Sequence, residues 1–210
     1  MARIDTVNRE PTPIQEAAYG TADLLLAGGP GTGPLVPPGK YTTKWMQIAT
    51  LKRATPGKDW AIAADAIDRF LAIKSGQKLV DEITPRLRRE GTRAAKIHVY
   101  FADHKDFPGE GRGDAAGYYG PDEPGEPLYD VYVQWEKNLR PTEFIKGPLK
   151  NLLAGKSRMA HTLFHEILHV WFIHAYPGQG TGHVGEKMHP EFGKRLDAAT
   201  QDLEKVDKRP

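Results

Sequence analysis

Met159-Ala160-His161-Thr162-Leu163-Phe164-His165-Glu166-Ile167-Leu168-His169-Val170-Trp171-Phe172-Ile173 places apolar residues on nearly every side of a helix drawn through it, with polar groups set among them. Such a helix is buried. Its polar members must then be paired, hydrogen-bonded or metal-bound, because an unsatisfied polar group in an interior costs about 1–3 kcal/mol and an isolated charge more. His165 and His169 are four residues apart, so on a helix they lie one above the other and offer two imidazoles to one ion. Glu166, directly after the first histidine, can take a proton from a water activated by that ion without being a ligand itself. The competing reading is a set of core histidines bonded to carbonyls. The pattern predicts a helix over 157–176 with Ser157 as its N-cap.

Downstream, the residues around the helix supply further ligands. Of the eight histidines in the chain, His161, His165, His169, His174, His183 and His189 all fall between 161 and 189. The turn Pro177-Gly178-Gln179-Gly180-Thr181-Gly182 ends the helix and delivers His183, Glu186, His189 and Glu191. A catalytic metal site takes three protein ligands and keeps one position open, so the third ligand is sought among these. Pro190 suits the first position of a last helix, expected over 190–206, with His189 cap-like before it and Phe192, Leu196 and Leu203 on the inner face.

Upstream, two helices are expected at 59–74 and 77–90, separated by Ser75-Gly76, the second kinked or shortened by Pro85. Alternating runs at 96–101 and 129–135 read as strands, and 103–128, dense in Gly, Pro and acids, reads as a long loop rimming a cleft. Residues 1–55 read as a Pro/Gly-rich, partly disordered arm with one strand or helix within 41–51, leaving a domain over 56–210. Gly28-Gly29-Pro30-Gly31-Thr32-Gly33 is not a phosphate loop, because Pro34 and Leu35 follow where Lys and Ser/Thr are required. The expected fold is α+β: a small, mostly antiparallel sheet packed on the buried motif helix, with further helices.

Charge and composition exclude several classes. The formal net charge is +2, which makes no electrostatic case for nucleic acid. Acids gather in 110–130 and bases in 137–158, read as two solvated faces. With no cysteine, any zinc is held by His and carboxylate alone. No apolar run approaches the roughly 18–20 residues that span a bilayer, and no signal segment opens the chain. The expected location is cytoplasmic in the producing cell, or exported without a cleaved signal peptide.

A helix bearing His-Glu-x-x-His, preceded by alternating strands and followed by a glycine-rich turn and a second helix, resembles the zincin metallopeptidases. His189-Pro190-Glu191-Phe192 with Leu196 is similar to the His-Gly-x-x-Phe-type segment in which SprT-like peptidases place their third zinc ligand, with Pro190 where a glycine is common. The helix pair around Ser75-Gly76-Gln77-Lys78-Leu79, followed by a strand, also resembles effector-type peptidases that bacteria deliver into other cells. The resemblance implies a zincin-like fold over 56–210 and Zn2+ held by His165, His169 and His189, with His183 and Glu186 as alternatives for the third ligand. It implies an endopeptidase that cuts a protein or peptide substrate with a zinc-activated water and Glu166 as general base. The 129–135 strand would pair with extended substrate, and Tyr118, Tyr119, Tyr132 and Tyr176 are candidate oxyanion donors. Two other functions fit the same residues: a zinc hydrolase of a non-peptide amide or ester, and a non-catalytic binding protein of zincin fold, against which the intact Glu166 argues.

Overall fold

The computed structural model describes residues 46–50, 58–87, 96–102, 117–121, 128–145, 147–179, 182–184 and 187–208. In chain order these form β1 (Met46–Thr50), α1 (Lys58–Ala72), α2 (Lys74–Leu87), β2 (Lys96–Ala102), β3 (Gly117–Pro121), β4 (Leu128–Gln134) and α3 (Trp135–Leu139). Two 3-10 turns at Thr142–Phe144 and Gly147–Asn151 lead into α4 (Lys156–Ala175), a short hairpin of β5 (His183–Val184) and β6 (Lys187–Met188), and α5 (Pro190–Asp207). The fold is α+β.

Four strands form one sheet in the order β1-β2-β4-β3. β1, β2 and β4 are parallel, and only β3 runs antiparallel, against β4. The expectation of a mostly antiparallel sheet is therefore corrected, and burial gives the reason. Ile97, Val99 and Phe101 pair in register with Tyr129, Val131 and Val133, and all six are buried in the common core. On the opposite face Tyr100 and Tyr132 stack with ring centroids 4.8 Å apart and are buried too. Strands covered on both faces are typical of parallel sheets, whose crossovers lay structure on the sheet; here α1 and α2 form the crossover from β1 to β2.

The sheet edge also differs from expectation. β4 lies between β2 and β3, so the edge strand beside the motif helix is β3, inside the stretch read as a loop. Segments 103–116 and 122–127 of that stretch lie outside the described residues. Met46–Thr50 of the N-terminal arm pairs with β2, while the rest of the arm, with its glycine-rich turn, lies outside them.

The helical core follows the apolar spacing. Ala63, Ala66, Ile67 and Phe70 of α1 and Leu79, Ile83 and Leu87 of α2 are buried against α4. The break between α1 and α2 falls at Ile73, so Ser75 and Gly76 lie within α2 instead of separating the helices. A Cβ on Gly76 would sit 1.9 Å from the Phe70 carbonyl oxygen, so this glycine allows a close elbow. Pro85 lies in the last described turn of α2, and positions 88–90 of the expected helix lie outside the described residues.

α4 is buried from Ser157 through Phe172 with the exception of His165. Its N-cap is Gly155 at φ 76°, not Ser157. The Ser157 hydroxyl is already used: it donates to Asp207 Oδ1 at 2.5 Å, at the far end of α5, where Arg69 of α1 also donates at 2.5 Å. At the next position, the buried Arg158 guanidinium donates to the carbonyls of Leu149 (3.2 Å) and Arg140 and to Thr142 Oγ1 (2.8 Å). Arg158 thus leaves the basic face read for 137–158 and clamps the 3-10 turns onto α4. No helix among the described residues is long and apolar enough to cross a membrane.

Candidate metal centre

The middle of α4 carries His165 and His169 one turn apart, as the four-residue spacing requires, and the hairpin after the helix brings a third imidazole to them. His165 Nε2 lies 3.1 Å from His169 Nε2 and 3.3 Å from His183 Nε2. Ligand atoms of all three lie within 4.8 Å of one another, so the group can hold a metal ion. Hydrogen bonding satisfies this arrangement poorly, because His165 Nε2 alone would have to serve both neighbours. One divalent cation accepts all three lone pairs. For a tetrahedral centre with bonds of about 2.0–2.1 Å, ligand nitrogens stand about 3.3–3.4 Å apart, close to the spacing found here for the two pairs that include His165.

Burial is graded across the group: His169 is buried, His165 half-buried and His183 exposed. The centre therefore opens to solvent on the His183 side. Burial, with His169, His161 and His183 as positive neighbours, pushes His165 down to about 2, and burial also lowers His183. These rings are neutral at ordinary pH, the form that binds metal. Glu166, 6 % exposed, is pushed up to about 8 by burial. Among the described residues no hydrogen bond reaches its carboxyl group.

Backbone conformation delivers His183. Gly182 has φ 89°, and a Cβ on it would lie 2.2 Å from the Phe192 ring. β5 and β6 pair His183 with Met188, and the His189 N–H donates to the Gly182 carbonyl at 2.8 Å. No protein-family model, curated protein or solved structure matches the chain.

The hairpin sets His189, favoured by the resemblance, apart from the group. It caps α5, its Nδ1 accepting the Glu191 N–H at 3.2 Å, and its ring packs 5.0 Å from Phe172 and 4.9 Å from Tyr176. Pro190 explains the difference: it starts α5 at once and commits the preceding residue to the cap. Glu186, the other alternative, lies outside the described residues. His161 Nε2 is 3.1 Å from Thr200 Oγ1, and since that hydroxyl donates to the Leu196 carbonyl, the imidazole is the donor. His174 Nε2 pairs with the Tyr129 hydroxyl at 2.9 Å.

Among the candidate oxyanion donors, the Tyr132 hydroxyl donates to Asp130 at 3.4 Å and Tyr176 stacks on Phe172. The side chains of Tyr118 and Tyr119 lie outside the described ones, although their backbone forms β3. Sequence reasoning missed Gly182 and the position of Phe192 under the imidazoles. A Gly immediately before a candidate histidine was the available signal.

Proposed function

We propose that this chain is a zinc-dependent endopeptidase of zincin type, with His165, His169 and His183 as metal ligands and Glu166 as general base. The observation that carries the reading is the convergence of three imidazole nitrogens, with the buried Glu166 next in sequence to one of them. Three neutral nitrogen ligands with an open side suit a catalytic zinc, whose structural sites by contrast are closed by four protein ligands. When bound, the ion supplies Lewis acidity toward the scissile carbonyl and lowers the pKa of a water toward about 7.

The chain's own residues do the rest. A Glu166 carboxylate oxygen accepts the proton of the attacking water and returns it to the leaving amine nitrogen. Burial alone would keep this group protonated near neutral pH, and a cation held by the neighbouring histidines would draw its pKa down and free the carboxylate to act as a base. β3 supplies the element that would align substrate: it ends the sheet, packs beside α4, and has no strand on its outer side among the described residues. An extended peptide added there would be held by main-chain hydrogen bonds.

The test is hydrolysis of a mixed peptide library by the full chain, with zinc, with a chelator, and with Glu166→Gln. The expected result is cleavage that chelation abolishes and zinc restores, with the variant slower by about 10²–10⁴-fold while still binding zinc. A variant that cuts as fast as the parent refutes the mechanism.

A further inference from the structure

The Phe192 ring is fully buried and lies against all three imidazoles, with centroid distances of 5.3 Å to His165, 4.8 Å to His169 and 5.1 Å to His183. No other ring makes all three contacts among the described residues. On its remaining side the ring occupies the space where a Cβ of Gly182 would be, at 2.2 Å and 2.7 Å from two ring carbons. Helix α5, which carries Phe192, is itself held fast. Arg195 packs 3.8 Å over the Trp171 ring of α4 and pairs with Glu82 of α2 at 2.9 Å and Glu191 at 2.8 Å.

Resting on the metal reading above, we propose that Phe192 is a positioning residue for the metal group and Gly182 the notch into which its ring fits. His183 belongs to a two-residue strand and has little of its own to hold it. Its place is set from α5 at two points: the His189 N–H on the Gly182 carbonyl, and the ring under the imidazole. An aromatic ring suits this task better than an aliphatic side chain. It is flat and rigid, and at interplanar angles of 74°, 41° and 54° it meets the imidazoles in the edge-on and tilted arrangements that ring pairs favour. Supporting groups of this kind typically change metal affinity by about 10–100-fold.

The experiment measures zinc affinity by competition with a chelating dye, and the visible spectrum of the Co2+-loaded protein, for the parent, Phe192→Leu, Gly182→Ala, the double variant and Leu203→Ala. Leu203 is buried in α5 away from the group and controls for general loss of stability. Phe192→Leu and Gly182→Ala should each weaken zinc binding by at least about tenfold and alter the Co2+ bands. Leu203→Ala should lower the melting temperature and leave both readouts at parent values. In the double variant the losses should overlap, since both act through one contact. Parent-like affinity and spectrum in Gly182→Ala, which removes no side chain of α5, would overturn the inference even if Phe192→Leu failed to fold, and so would fully additive losses. A parent that binds no zinc would instead refute the metal reading itself.

Discussion

Glu166→Gln should stabilise the metal-free protein, by an amount that grows with pH. The carboxyl group is 6 % exposed, and burial raises its pKa from an ordinary 4.5 to about 8. A raised folded-state value means that the folded chain binds the proton more tightly than the unfolded chain. The stability this contributes is fully present below about pH 4.5 and is lost as pH rises to about 8. At about 1.4 kcal/mol per unit, the raised pKa costs the metal-free fold on the order of 3 kcal/mol near neutral pH, where the folded chain keeps a proton that the unfolded chain has released, and about 5 kcal/mol above pH 8, where the buried carboxylate is ionised. Glutamine keeps the shape and carries no charge. Urea unfolding of chelator-treated parent and variant from about pH 4 to 9 reads the effect. The difference in unfolding free energy should stay constant below about pH 4.5 and then widen in favour of the variant by about 1.4 kcal/mol per pH unit until about pH 8. A difference that stays flat between pH 5 and 8 would refute the claim that this carboxyl group is desolvated.

His161, lowered from 6.5 to about 4 by burial, acts in the opposite sense: its stability is present above pH 6.5 and lost as pH falls through about 4. His161→Gln should therefore remove about 3 kcal/mol of acid sensitivity across that window, seen in the same unfolding series. Gly76→Ala, which in an ordinary helix interior would stabilise by about 1 kcal/mol, should here destabilise by about 3 kcal/mol, because the new methyl meets the Phe70 carbonyl at 1.9 Å. A raised melting temperature would contradict the elbow geometry.

The motif helix and its burial were readable because one element contains the whole signal: a four-residue histidine spacing set in apolar residues on every side. The third imidazole was not, because His183 and His189 flank one short hairpin, and their roles are separated by the pairing of His183 with Met188 and by the start of a helix at Pro190. Composition favours neither. β3 escaped notice for a different reason. Gly-Tyr-Tyr-Gly-Pro has weak strand propensity, and it becomes a strand through pairing with β4 on one side, at an edge where a proline is tolerated. Strand direction was hidden as well, since the alternation in Ile97, Val99 and Phe101 reads as one buried face until Tyr100 and Tyr132 are found buried on the other.

The most direct test is zinc per chain, measured by mass spectrometry on protein purified without added metal, for the parent, His183→Ala and His189→Ala. A structural zinc held by four ligands binds with about 10–16 kcal/mol, or about 3 kcal/mol per ligand, so losing His183 should weaken binding by roughly 100-fold. The account predicts about one zinc in the parent and in His189→Ala, and almost none in His183→Ala. A parent without zinc, or zinc lost in His189→Ala and kept in His183→Ala, would contradict it.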